Sequence, residues 1–176
     1  MRPSPDADVP PEERRVLLAI DPGNIESAYV LADMDTYAPL EHAKVENREL
    51  LSRIWKMNFQ HVAVEQISSY GMAVGREVFD TCKWIGRFTQ VLEGDLDMPV
   101  QEIYRKDEKM CLCGDSRAKD PNIRMALIDR FAQFDFKNGK GVKSRPDWFY
   151  GFRADEWAAY AVAVTALDIR NRRYYP

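Results

Sequence analysis

Cysteine is scarce in this 176-residue chain, and the three present, Cys82, Cys111 and Cys113, make an odd number without framework spacing. That excludes a disulfide scaffold and leaves reduced thiols as the expectation. Long apolar runs are missing too: the longest, Val16 to Ile20 and Ala158 to Leu167, fall well short of the roughly 20 residues that cross a bilayer. No membrane span is expected. The chain also lacks an excess of basic residues. With 25 Lys and Arg against 28 Asp and Glu, its net charge of −3 argues against coating nucleic acid by bulk charge, but leaves room for a local basic patch. No internal repeat is present. What is there is 45% hydrophobic, 30% charged and 11% aromatic, the composition of a soluble globular chain. Its length suits one domain able to bury a core unaided.

Residues 1–14 (MRPSPDADVPPEER) hold four prolines and little apolar content, so a disordered tail is expected there and a folded domain over 15–176. This polar start is unlike a signal peptide, and a cytoplasmic location is expected. RVLLAID reads as a short buried strand ending at Pro22-Gly23. SAYVLADMD and YAPLEHAKV then complete an antiparallel meander. Asn47 can cap a helix to about Asn58, with Leu50, Leu51, Ile54 and Trp55 on one face. HVAVEQI follows as a fourth strand, parallel to its neighbour because a helix intervenes. A long helix is expected over Arg76 to Glu93 and a fifth strand at MPVQEIYR. KDEKMCLCGDSRAKD reads as a polar connection. The next helix has Asp120 as N-cap and Pro121 at its first position, with Ile123, Leu127, Phe131 and Phe134 forming its apolar face. Residues 137–147 read as a basic surface loop. An alanine-rich helix over about Asp155 to Asn171 closes the chain. The fold class is therefore α/β, a mixed five-stranded sheet (three antiparallel strands, then parallel strands) flanked by helices.

Ligands of such sheets gather at the carboxyl ends of the parallel strands. Asp21 ends the first strand, Glu65 ends the fourth and Asp155 opens the last helix, so three carboxylates far apart in sequence are expected at one edge. Oxygen donors of this kind suit Mg²⁺ or Mn²⁺. An acid after a strand is also a common turn residue, and an acid at a helix start a common cap. The strings LLAIDPGNIESAYV, HVAVEQISSYG and RADEWAAYAVAV together resemble the three acidic motifs of RuvC-type Holliday junction resolvases, in the ribonuclease H-like superfamily. The match covers roughly Val16 to Asp168.

The resemblance implies a metal-dependent endonuclease cutting four-way DNA junctions with two Mg²⁺ or Mn²⁺ ions per site. Asp21, Glu65 and Asp155 match the family's acids. The last motif normally carries a second acid three residues on, where this chain has Ala158, and Glu156 is an auxiliary candidate for the metal. CLCGDSRAKDPNIRMALIDRF looks like a segment of phage-encoded members and places Lys119, with Lys109 more loosely, where the family's lysines face the scissile phosphate. The family's junction-stacking aromatic is replaced by Ser68, with Tyr70 two residues further on. The resemblance also implies a homodimer, with the helix over Arg76 to Glu93 as its interface. Arg76, Lys83 and Arg87 on that helix, with Lys140 and Lys143, are candidate DNA contacts, although a solvated face explains such residues equally well. Cys111 and Cys113 with His42 or His61 lack the second thiol pair of a zinc site. Trp148, Phe149, Tyr150 and Phe152 read as core before a stacking platform. Three rivals stand beside the junction nuclease. A sugar-kinase or actin-type ATPase needs a second such domain and more chain than this. A DNA-structure-binding or packaging factor without cleavage fits Ala158. A flap or RNA–DNA hybrid nuclease is not separable by sequence.

Overall fold

The computed structural model describes residues 14–68, 71 and 73–176. The expected N-terminal tail, apart from Arg14, lies outside the described residues, and so does Tyr70. Five strands, β1 (Val16–Asp21), β2 (Glu26–Asp33), β3 (Pro39–Glu46), β4 (His61–Gln66) and β5 (Val100–Tyr104), form one sheet in the order β3-β2-β1-β4-β5. β1, β2 and β3 pair antiparallel, while β1 with β4 and β4 with β5 pair parallel, as the helical connections require. The mixed sheet read from sequence is thus the sheet observed.

The period of two along each strand divides the core into halves. Leu17, Ala19, Ala63 and Ile103 point to one face, against α4 (Asp120–Phe131) and α5 (Ala154–Arg170). Leu18, Ile20, Val62 and Val64 point to the other, against α1 (Asn47–Ile54) and α2 (Arg76–Thr89). The alanines of α5 let its backbone lie close on the sheet, and Ala159, Ala161, Ala163 and Ala166 are all buried there. The expected aromatic core is present on the same side: Phe149 and Phe152 are buried and pack edge-on against Tyr160, while Tyr150 is exposed.

Several local expectations need correction. α1 stops at Ile54, four residues early, and Glu46 occupies the N-cap position. The Asn47 side chain instead accepts from Ser27 Oγ at 2.5 Å and donates to the Gly23 carbonyl at 2.9 Å, tying the turn after β1 to the start of α1. α2 ends at Thr89 and continues as a π-helical turn over Gln90–Asp95. Asp120 is the first residue of α4, with Lys119 in the cap position, and Phe134 lies beyond the helix under the Arg145 guanidinium. The polar connection after β5 is itself a helix, α3 (Arg105–Cys113), closed by Gly114 at a left-handed φ of 66°. The basic segment 137–147 forms a small hairpin of β6 (Gly141–Val142) and β7 (Arg145–Pro146). The buried Asp147 carboxylate anchors it by accepting from the backbone N–H groups of Gln133, Phe134 and Asp135.

Candidate active site

Strand register brings the first two acids together. Ile20 pairs with Val64 across the parallel β1–β4 ladder, which sets Asp21 beside Glu65 at the carboxyl end of both strands. Each lies two residues beyond an alanine that faces α5, Ala19 and Ala63, so both point to the α5 side of the sheet. Asp155, the second residue of α5, meets them there. All three line a cavity of about 260 Å³, together with Arg105, Asp120, Arg124 and Ala158. Asp21 and Asp155 also border a neighbouring cavity formed by the Pro22–Ile25 turn and Lys44. The expected three-acid edge is therefore present in space.

The electrostatics of the cluster are those of crowded acids. Burial pushes the Asp21 carboxyl well above its usual range, and the negative charge of Glu65 adds to that. Burial raises Glu65 to about 7, with repulsion from Glu108 in the same direction. Glu108, on α3, is fully buried behind them and is likewise raised to about 7, chiefly by burial. Opposing these shifts is Arg105, the first residue of α3. Its Nη1 lies 2.6 Å from Glu108 Oε2, and its Nη2 also bonds Asp120. Asp155 is held differently: Lys44 Nζ, on β3, lies 2.6 Å from its Oδ2 and 3.3 Å from Glu26 Oε2.

Among the described residues, no three His, Cys, Asp or Glu side chains already stand in a metal-ligand arrangement. The donor chemistry nevertheless fits a hard divalent cation. The groups are carboxylates, Glu65 raises the Asp21 carboxyl and Glu108 repels Glu65, and one buried oxygen, Glu108 Oε1, has no hydrogen-bond partner. A cation among them would offset their repulsion and give Glu108 Oε1 a partner.

Glu156 is not brought to the cluster. One step along α5 from Asp155, its buried carboxylate accepts from the Arg153 N–H at 2.9 Å and lies 2.8 Å from His42 Nδ1. It caps the helix and holds β3. Lys119 is exposed, immediately before the cavity residue Asp120, while Lys109 is half-buried on α3 outside the cavity lining. Of the candidate DNA contacts, Arg76 and Lys83 both pair with Asp80, and Arg87 lies 4.5 Å over the Trp84 ring. Lys140 is half-buried and Lys143 exposed, both on the hairpin segment. Cys111 is engaged with Asp168. Sequence reasoning missed Arg105, Arg124, Lys44 and Glu108. The position of Arg105 directly after β5, a parallel strand, was the one available signal.

No family model matches the chain, and no curated protein matches it in sequence. Solved structures do. Thermus thermophilus RuvC is similar with a TM-score of 0.62 at 17% identity, covering 89% of this chain and 96% of that one. The structure of T. thermophilus RuvC in complex with Holliday junction substrate is similar with a TM-score of 0.62 at 18% identity, over 90% and 96%. The chain has a RuvC-like fold of the ribonuclease H-like kind.

Proposed function

We propose that the protein is a metal-dependent endonuclease selective for branched DNA, with the four-way junction as its preferred substrate. The observation that carries this reading is the convergence of Asp21, Glu65 and Asp155 on one cavity at the carboxyl ends of β1 and β4. The similar fold of a protein solved with a Holliday junction supports the choice of substrate. The resemblance to phage-encoded members rests on the segment 111–131.

Asp21, Glu65 and Asp155 are the residues that would hold two Mg²⁺ or Mn²⁺ ions. Such ions, when bound, activate a water nucleophile and stabilise the leaving 3′ oxygen, so that hydrolysis leaves a 5′ phosphate. Lys44 fixes the Asp155 carboxylate from the β3 side. Arg105 and Arg124 line the cavity with fixed positive charge for the phosphate. Lys119, exposed immediately before the cavity residue Asp120, is assigned to the charge developing on the phosphate. Arg76, Lys83, Arg87, Lys109, Lys140 and Lys143 are assigned to DNA arms further out. Junction resolution needs two symmetric nicks, so the reading includes a homodimer through α2 with paired sites. Among the described residues, no helix is long and apolar enough to cross a membrane.

One observation favours a second reading, a DNA-structure-binding factor that does not cut: Ala158 borders the cavity where the family carries an acid. Labelled four-way junction, flap, duplex and RNA–DNA hybrid, incubated with Mg²⁺, Mn²⁺ or chelator, separate the two. Metal-dependent nicking of the junction, reduced by at least ~100-fold in Asp21→Asn, is expected. Tight junction binding without nicking in either metal establishes the second reading instead. Faster cutting of flap or hybrid moves the substrate assignment while leaving the chemistry.

A further inference from the structure

Position 158 contributes a methyl group to the cavity wall, so α5 supplies one carboxylate to the site. α3 supplies another. Glu108 is 0% exposed, behind Asp21 and Glu65, and its Oε2 is met by Arg105 at 2.6 Å. Its Oε1 is equally buried and has no donor. The negative charges of Asp21 and Glu65 bear on it. An apolar side chain on this inner face of α3 would satisfy packing against α5 without stranding an oxygen. A carboxylate there makes sense only with more positive charge than Arg105 provides, because the same guanidinium also serves Asp120.

We propose that Glu108 is the fourth carboxylate of the cation site, supplying from α3 the negative charge that position 158 does not supply from α5. The inference rests on the nuclease reading above and names a group that acts on the same cation as Asp21 and Glu65. It also explains why an acid can be absent from α5 without the site losing a carboxylate. Arg105 then serves as the stand-in counter-charge whenever no cation is present, held by Glu108 three residues along the same helix.

Mn²⁺ binding to the full chain, followed by loss of the free-ion electron paramagnetic resonance signal, tests this without any cleavage assay. Glu108→Gln is expected to weaken Mn²⁺ binding by about 10–100-fold, with an unchanged circular dichroism spectrum in chelator, and Ala158→Asp in the same chain is expected to recover binding. Wild-type affinity in Glu108→Gln overturns the inference and leaves the nuclease reading standing. Absence of Mn²⁺ binding by the wild-type protein overturns both. If Glu108→Gln does not fold, Ala158→Asp alone decides. With the fourth carboxylate already present, a fifth is expected to tighten binding by less than about tenfold, whereas a gain of about 100-fold or more means that the site was one acid short.

Discussion

Glu65 and Glu108 are two buried carboxyls whose protonation is coupled to folding. Their folded values lie near 7, above the ordinary glutamate range, so between about pH 4.5 and 7 the folded state binds more protons than the unfolded one. The resulting stability is fully present below the unfolded value and is lost as pH rises through 7. In chelator, the melting temperature is therefore expected to be higher at pH 5.5 than at pH 8, and Glu108→Gln is expected to flatten that slope. A chelated protein that melts higher at pH 8 than at pH 5.5 contradicts the crowding described for this cluster. Glu156, by contrast, is a structural acid. Removing its bonds to Arg153 and His42 in Glu156→Ala is expected to cost about 1–3 kcal/mol in denaturant unfolding, while metal-dependent nicking at saturating substrate stays within the same order of magnitude. A loss of nicking as large as that of Asp21→Asn would return Glu156 to the site.

The elements differ in how plainly they could be read. β1 and β4 were legible because VLLAI and VAV are short apolar runs that stop at an acid, and α5 because a buried alanine-rich run has few alternatives. α3 was not legible. Its one fully buried residue is a glutamate, stabilised by an arginine one turn earlier, and a search for apolar periodicity passes over such a pair. The fourth carboxylate was hidden with it. Asn47 reads as the cap of α1, but Glu46 holds that position and the Asn47 side chain binds Ser27 on β2 and Gly23 in the turn after β1. Close packing of α5 has a direct test. Ala163 is fully buried, and Ala163→Leu is expected to lower stability by about 1–3 kcal/mol or more, read from the urea midpoint, because the helix must lift from β1 and β2. An unchanged midpoint would show a gap beneath the helix.

At the scale of the whole molecule, three layers place the three-acid cavity and the proposed partner surface on different faces. α2 packs inward through Phe88 but leaves Phe79 58% exposed, an apolar ring on the helix assigned to the dimer. Phe79→Glu is expected to convert a dimer into a monomer by light scattering, and to change paired junction cleavage into single, uncoordinated nicks. A wild-type protein that is monomeric at working concentrations removes α2 as the interface. Charge adds little guidance at this scale, since −3 over 176 residues is close to balance. Junction recognition on this account depends on shape and on local cations, features that a linear chain does not reveal.

Arg105 gives the acid cavity a permanent counter-charge. A guanidinium stays protonated under all physiological conditions and cannot be stripped by a chelator. The acid pocket therefore never confronts an approaching polyanion with its whole negative charge. On the nuclease reading, DNA would therefore meet a pocket already part-neutralised, so its docking would be less sensitive to a chelator than its cleavage.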